Sequence, residues 1–367
     1  MRKISTKSKL KEDQEVPQIY FSSNLQREIN STNNDGFDDK NGKYIHVLND
    51  HINYRYEALE ILGEGSFGRV IKAFDHKTKF NVAIKIIHNC ENYIRHSAEE
   101  IRLVSYLNRK EQELKSKFYI VQLIEHFNFH SHPCLVFELL GENLYDHVKR
   151  IGRGKISSLN HKKVAYQVFS CLNVLQNENI IHCDIKPQEN ILLTNGESYD
   201  VKLVDFGSGN FIHNKIHTYL QSRYYRSPEI ILGVRYSTQI DVWSLGCILP
   251  ELIMNFPLFP GETEIDQLQC MMELLDVPPK SLLNNSKRTK LFFDSKGLPI
   301  GKVTKKGKKR IPNSKTISSI MKIDVDPHFL DLIQCCLRWE ADIRIRPSSA
   351  LKHPWFDEYI QKISISN

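Results

Sequence analysis

The sequence predicts an α+β protein of two lobes, a small β-rich one followed by a larger helical one. Three observations predict it. Between Tyr56 and Leu140, short runs rich in β-branched and aromatic residues dominate, with one helical pattern among them. From Gly141 onward, helix-period apolar patterns take over. Near their midst, the stretch from Ile180 to Leu193 reads as a short apolar strand, a polar turn and a second apolar strand. That turn holds an acid (Asp184), a base (Lys186) and an amide (Asn190). A chain of 367 residues, 41% hydrophobic and 25% charged, is long enough for two cores.

Composition narrows the classes. Lys and Arg number 50 against 43 Asp and Glu, a net charge of +7. This excess is modest and partly local to Lys305–Arg310, so it does not argue for a nucleic-acid binder. The eight cysteines form no C-x-x-C pair, which excludes a zinc site of that kind and a secreted disulfide framework. Reduced thiols fit a cytoplasmic and/or nuclear protein. The start, Met-Arg-Lys-Ile-Ser-Thr-Lys, has no apolar core, and no run of about 18 apolar residues occurs, so neither a signal peptide nor a membrane span is expected.

In chain order, residues 1–33 are rich in Lys, Ser, Asn and Gln and are expected to be disordered. In 34–55, turn residues separate β-prone pieces, which predicts a small hairpin-like collar. Glu57–Leu62 and Val70–Phe74 read as strands flanking a glycine turn, and Phe80–Ile87 as a third. A helix is expected over about Tyr93–Asn108, with Ile101, Val104 and Leu107 on one face. Strands around Val121–Phe129 and Cys134–Leu139 follow. Val164, Val168, Leu172 and Leu175 make a buried helical stripe, with Asn160 as the expected cap. Asp241-Val-Trp-Ser-Leu-Gly opens the central helix of the large lobe. Pro250 falls inside it, removing a backbone bond to Gly246 at a cost of about 3 kcal/mol, so a kink is expected.

The chemistry-bearing motifs then fall in order. Gly63-Glu64-Gly65-Ser66-Phe67-Gly68-Arg69-Val70 matches G-x-G-x-x-G-x-V, whose backbone N–H groups approach phosphate oxygens. Strands on both sides argue against a dinucleotide loop, which would open a helix. Val82-Ala83-Ile84-Lys85 embeds a lysine among apolar residues, where its ammonium needs a partner. Glu100 is preferred to Glu99 because it shares a face with Val104 and Leu107. Asp205-Phe206-Gly207 follows a strand, and Ser227-Pro228-Glu229 stands where A-P-E belongs. Glu229 is expected to pair with Arg344, with Arg346 as the competitor. Together these motifs match the protein kinase signature and imply a two-lobed kinase fold using ATP and Mg2+. Asp184 would accept the substrate hydroxyl proton and Lys186 would offset charge on the transferred phosphoryl group. Asn190 and Asp205 would hold Mg2+, and Lys85, fixed by Glu100, would position the ATP phosphates.

Longer stretches narrow the resemblance. Asn33-Asn-Asp-Gly-Phe-Asp-Asp to Tyr54-Arg-Tyr precedes the kinase motifs, and His182-Cys-Asp carries Cys where most kinases have Arg. With Gln221-Ser-Arg-Tyr-Tyr-Arg-Ser-Pro-Glu, Pro257-Leu-Phe-Pro-Gly-Glu and Ser295-Lys-Gly-Leu-Pro, these resemble the dual-specificity tyrosine-regulated kinases (DYRK family, CMGC group), class II in type. The resemblance implies a homology box at 34–55 and a kinase domain at 56–356. Its lobes divide as 56–140 and 141–356, with an insert at about 281–325 and a tail at 357–367. It implies an autophosphorylated activation-loop Tyr219, held by Arg223 and Arg226. It also implies protein substrates with Ser/Thr before Pro and an upstream Arg, read by Asp146, Glu189 and Glu251. Phe137 would be the gatekeeper, with Glu138 and Leu140 giving hinge bonds to adenine. Leu62, Val70, Ala83 and Leu192 would enclose the base. A monomer is expected.

Three departures stand out. Asn190 comes six residues after Asp184, one more than the pattern H-R-D-L-x-x-x-N allows. Two registers are open: Pro187-Gln-Glu bulges outward and Asn190 reaches the metal, which we favour, or Glu189 takes its place. An inactive scaffold is the alternative reading. Pro250 is the second departure. The third is the roughly 33 residues ahead of the box, where class II relatives carry more. The basic run Lys302–Arg310 reads equally as an import or docking signal and as a solvated loop.

Overall fold

The structure, a computed structural model, describes residues 18–23, 33–194, 198–214, 220–295, 297–300 and 310–366. The chain divides into two units: residues up to Ser116 with Ile120–Leu140, and Lys117–Tyr119 with the chain from Gly141 onward.

In the first unit, six described strands form one antiparallel sheet in the order β1-β2-β3-β4-β6-β5. They are β1 (His51–Ile52), β2 (Tyr56–Glu64), β3 (Gly68–Asp75), β4 (Phe80–Ile87), β5 (Leu123–Phe129) and β6 (His132–Glu138). Alternation along β4 decides its faces. Val82, Ile84 and Ile86 bury into one core with Tyr56, Ala58, Ile71, Ala73 and Val136. Ala83 and Lys85 therefore face the other way. Register sets Val70 opposite Lys85 and Phe137 opposite Ala83, so all four share that second face. Helix α1 (Glu91–Leu114) is longer than expected. It buries Glu100, Leu103, Val104 and Leu107, while Ile101, expected on this stripe, is only half-buried.

The segment ahead of the sheet holds the expected hairpin-like turn: around an antiparallel bridge between Asp38 and Tyr44, the Asp39 N–H donates to the Lys43 carbonyl and the Ile45 N–H to the Phe37 carbonyl, both at 2.8 Å. A 3-10 turn at Asn33–Gly36 precedes it, and β1 at the sheet edge follows. Phe37, Tyr44 and Ile52 belong to the same core as Ile84 and Phe129. A buried bridge fastens it: His132 Nε2 lies 2.6 Å from Asp38 Oδ1 and His132 Nδ1 lies 2.7 Å from the Ile87 carbonyl. Asn89 donates to the other Asp38 oxygen at 3.0 Å. The disorder expected over 1–33 does not extend to 18–23. The Tyr20 and Phe21 N–H groups donate to the Tyr54 carbonyl (2.9 and 3.0 Å), and Phe21 stacks on His76.

The second unit is helical. Its described helices include α2 (Leu144–Ile151), α3 (Ser158–Asn177), α4 (Pro228–Leu232), α5 (Gln239–Met254), α6 (Glu264–Leu275), α7 (Pro327–Cys336) and α8 (Asp357–Ser366). The cap of α3 is Ser157, not Asn160: its hydroxyl accepts the Asn160 N–H at 3.2 Å. Val164, Val168, Leu172 and Leu175 are all buried. Helix α5 is buried almost throughout and continues through Pro250 without interruption. A Cβ on Gly246 would lie 2.7 Å from Cys336 Cβ, so only glycine lets α5 and α7 approach this closely. The expected tail at 357–367 is α8, docked by buried Tyr359 and by Glu358 on Lys162 at 2.8 Å.

Candidate active site

Short ladders fix both ends of the loop that carries Asp184. Strand β7 (Ile180–Ile181) pairs with β10 (Asn210–Phe211), and β8 (Ile191–Leu193) pairs with β9 (Val201–Leu203). The His182 and Cys183 N–H groups donate to the two oxygens of Asp241 on α5, at 2.8 and 3.1 Å. Burial pushes that carboxyl up to about 6. Cys183 adopts φ +68°, in the left-handed region, and turns the chain into the loop. His182 Nδ1 accepts the Asp184 N–H (3.3 Å) and Nε2 faces the Val204 carbonyl (3.1 Å). One neutral tautomer, protonated at Nε2, satisfies both. Its ring packs on Phe206 at 4.7 Å.

Asp184 is held on both oxygens. Oδ1 accepts from the Ser222 N–H (3.0 Å) and hydroxyl (2.8 Å), and Oδ2 lies 3.0 Å from Lys186 Nζ. Burial works against the Lys186 charge, but the Glu189 hydrogen bond and the Asp184 charge outweigh it, so its pKa is raised. Asn190 lies inside the loop, 1% exposed. Its Nδ2 donates to the Asp184 carbonyl at 2.5 Å and its N–H to the Lys186 carbonyl at 3.2 Å. Its Oδ1 is buried without a partner. Glu189 points out, its side chain 67% exposed and 2.7 Å from Lys186. Of the two registers, the loop adopts the one with Asn190 inward, but the expected outward bulge of Pro187-Gln-Glu is confined to Glu189: Pro187 is buried and Gln188 is half-buried against Tyr225 and Glu251. Asp205 sits at φ +60°, immediately ahead of the 3-10 turn Phe206–Ser208.

The remaining expected residues of this unit divide. Glu229 and Arg344 form a buried bidentate pair at 2.7 and 3.0 Å; Arg344 also donates to the Gln239 and Arg338 carbonyls. Tyr219 lies outside the described residues, as does all of the Lys302–Arg310 run except Arg310. Arg223 is exposed and donates to the Glu262 carbonyl at 2.8 Å. Arg226 differs from expectation: it is 2% exposed, and its guanidinium binds the Leu220 and Gln221 carbonyls and Glu264. Of the three expected substrate carboxylates, Asp146 and Glu189 are exposed. Glu251 is 2% exposed beneath Tyr225 (3.1 Å) and Gln188 (3.3 Å). Burial pushes it up to about 7. Leu192 is half-buried in β8.

In the first unit, Lys85 Nζ reaches both Glu100 oxygens at 2.7 and 2.9 Å, while Glu99 is exposed and pairs with Arg102. The glycine hairpin is closed by the Gly65 N–H donating to the Gly68 carbonyl at 2.9 Å. Gly68 is obligatory, because a Cβ there would meet the Ile86 carbonyl oxygen at 2.3 Å. Leu62, Gly63, Glu64, Gly65 and Ser66 are exposed at the hairpin tip, and Phe67 tucks against Tyr93 and His96 of α1. Lys43 and Arg69 pull Glu64 down to about 2. Phe137 is buried, and Val70, Ala83, Glu138 and Leu140 are half-buried. The Glu138 N–H donates to the Gln122 carbonyl at 3.1 Å.

Sequence reasoning misses the roles of Ser222, Gln188, Tyr225 and Asp241. Ser222 and Tyr225 lie inside a recognised stretch, but hydroxyls of this kind carry no spacing signal. The added residue itself is the signal for Gln188.

Comparison places these features in a family. The protein kinase domain family model matches residues 56–356. The chain is 44% identical over 362 residues to dual specificity tyrosine-phosphorylation-regulated kinase 3 of Rattus norvegicus, covering 93% of this chain and 61% of that protein. The Homo sapiens kinase of the same name is 43% identical over 366 residues, with 94% and 62% covered. Dual specificity tyrosine-phosphorylation-regulated kinase 2 of Drosophila melanogaster is 43% identical over 340 residues, with 91% and 46% covered. The chain thus spans less than two thirds of the length of these curated relatives. With a signature in order and a domain match across both units, the chain belongs to the protein kinase domain family, and within it resembles the dual-specificity tyrosine-phosphorylation-regulated kinases.

Proposed function

We propose that this chain is an ATP- and Mg2+-dependent protein kinase that phosphorylates Ser and Thr in protein substrates. One observation carries the reading. Asp184 is held between Lys186 of its own loop and Ser222 from further along the chain, and the buried Oδ1 of Asn190 has no partner in the protein. An orphaned buried amide oxygen on a side chain that also contacts Asp184 fits a hard cation that prefers oxygen ligands. Asn190 and Asp205 would hold Mg2+, which supplies charge neutralisation at the phosphate oxygens.

Asp184 orients the substrate hydroxyl and takes its proton as the oxygen bonds to the γ-phosphorus and the bond to the β–γ bridging oxygen breaks. Lys186 offsets charge on the phosphoryl oxygens. Lys85, held by Glu100, binds the α- and β-phosphates. Within each unit the contacts are made before reaction, Lys85 to Glu100 in one and Asp184 to Lys186 in the other, so catalysis is positioning and charge stabilisation.

The finer reading is drawn from resemblance. Substrates carry Pro after the acceptor and an upstream Arg, for which Asp146 and Glu189 are the exposed carboxylates. Tyr219 is autophosphorylated and gripped by Arg223. The protein works as a monomer in the cytoplasm and/or nucleus. No described helix is long and apolar enough to cross a membrane. An inactive scaffold is the competing reading, favoured by the added loop residue; the inward Asn190 speaks against it. Purified protein with Mg-ATP and an Arg-x-x-Ser-Pro peptide tests the proposal. Phosphate transfer no greater than that of Asp184→Asn would sink it, and phosphate on Tyr219 would support the maturation route.

A further inference from the structure

We propose that Gln188 determines specificity: it closes Glu251 to substrate, so that the pocket in front of Glu251 takes an uncharged side chain in preference to Arg or Lys. The inference rests on the kinase reading for the nature of the substrate, a peptide threaded past Asp184.

The pocket is open, about 280 Å³, and lined by Lys186, Gln188, Glu189, Ser222, Arg223 and Tyr225 among others. Ser222 also bonds Asp184, so a residue flanking the acceptor lies within reach of this pocket. Glu251 lies behind it. Gln188 Nε2 donates to Tyr225 Oη (2.7 Å) and to Glu251 Oε1 (3.3 Å), and Tyr225 Oη reaches the same oxygen at 3.1 Å. The second oxygen, Oε2, is buried without a partner. A buried carboxylate with an unused oxygen is a cation seat, and an amide and a phenol cover it instead of a cation. The other charged groups on the pocket wall do not replace it. Glu189 is paired with Lys186, and Arg223 adds a second positive charge. A basic substrate residue therefore meets the Arg223 cation and a Lys186–Glu189 couple whose charges already offset each other, with no carboxylate left to receive it, which disfavours it.

Equilibrium binding to peptides carrying Arg or its neutral isostere citrulline, scanned through positions flanking the acceptor Ser, tests this without requiring turnover. In the unaltered chain, Glu251→Gln should change the Arg-to-citrulline affinity ratio by less than about twofold at every position. Gln188→Ala should raise the ratio about tenfold at one position, and the gain should vanish in Gln188→Ala with Glu251→Gln. Deleting Gln188 should reproduce the gain and serves if Gln188→Ala misfolds. Loss of Arg preference on Glu251→Gln alone would overturn the proposal, as would no gain in either Gln188 variant. Phosphate transfer is measured separately: its absence with the coupling pattern intact counts against the kinase reading, and its presence with the pattern missing counts against this one.

Discussion

Glu251 makes a stability prediction with a definite sign. Its carboxyl is raised from 4.5 to about 7, chiefly by burial, with Tyr225 and Gln188 opposing the rise. The folded protein therefore holds a proton that the unfolded chain releases first, and stability falls as pH rises from about 4.5 to 7. Below that window both states are protonated and nothing is lost. Integrated between pH 5 and pH 8, the loss is about 2.5 kcal/mol, since a tenfold difference in proton affinity between the folded and unfolded states is worth about 1.4 kcal/mol. Its neighbours Tyr225 and Cys247 are raised well above this range and stay neutral through it. Glu251→Gln keeps the shape and removes the titration. Urea denaturation of both proteins at pH 5 and pH 8 isolates the effect, because every other titrating group cancels in the comparison. The variant should gain about 2.5 kcal/mol relative to the parent on going from pH 5 to pH 8. A relative gain below about 0.5 kcal/mol, or one of opposite sign, would show that Glu251 is solvated and would refute the burial argument.

Other perturbations follow from single contacts. Arg344→Met leaves Glu229 buried and uncompensated and should cost about 3–5 kcal/mol, a melting shift of roughly 6–20 °C by differential scanning fluorimetry. Glu100→Gln removes the carboxylate holding Lys85 and should lower phosphate transfer about a hundredfold to a thousandfold, read by peptide phosphorylation. Chelating Mg2+ should abolish transfer, and Asn190→Ala should raise the Mg2+ concentration needed for half-maximal rate about tenfold or more. Asp38→Ala takes the partner from Nε2 of buried His132 and should cost about 1–3 kcal/mol, with faster hydrogen exchange confined to the segment ahead of β2 and its contacts.

Much of this is legible in the sequence because it depends on local pattern. Alternation in Val82–Ile87 puts Lys85 on the face opposite the core, and helical spacing chooses Glu100 over Glu99. What is not legible depends on tertiary partners. Spacing alone reads Arg226 as a phosphate ligand, yet backbone carbonyls and Glu264 enclose it. The turn within 34–55 is local and legible, but the partners that seat it on the sheet, His132 and Phe129, are far along the chain. Pro250 is expected to kink α5, with burial compensating the missing bond; α5 is helical through it and buried there.

The added loop residue shows how a change in length becomes a change in chemistry. Its position is forced. On one side, Asp241 clamps the His182 and Cys183 amides and Ile185 is buried; on the other, β8 is locked in register with β9. The slack can appear only between Lys186 and Asn190, where the turn closes from the Asn190 N–H to the Lys186 carbonyl. Lengthening such a turn by one residue costs little closure entropy. It leaves Asn190 inside, because its amide is fixed by the Asp184 carbonyl. The residue at the crest cannot also remain where a shorter turn would hold it. Gln188 is carried over Tyr225 and Glu251, and Glu189 is carried outward onto Lys186. The added residue therefore leaves Asn190 bonded to Asp184 and sets Gln188 over Glu251 and Glu189 outward; on the proposed reading, the first pair serves phosphate and metal and the second faces the substrate.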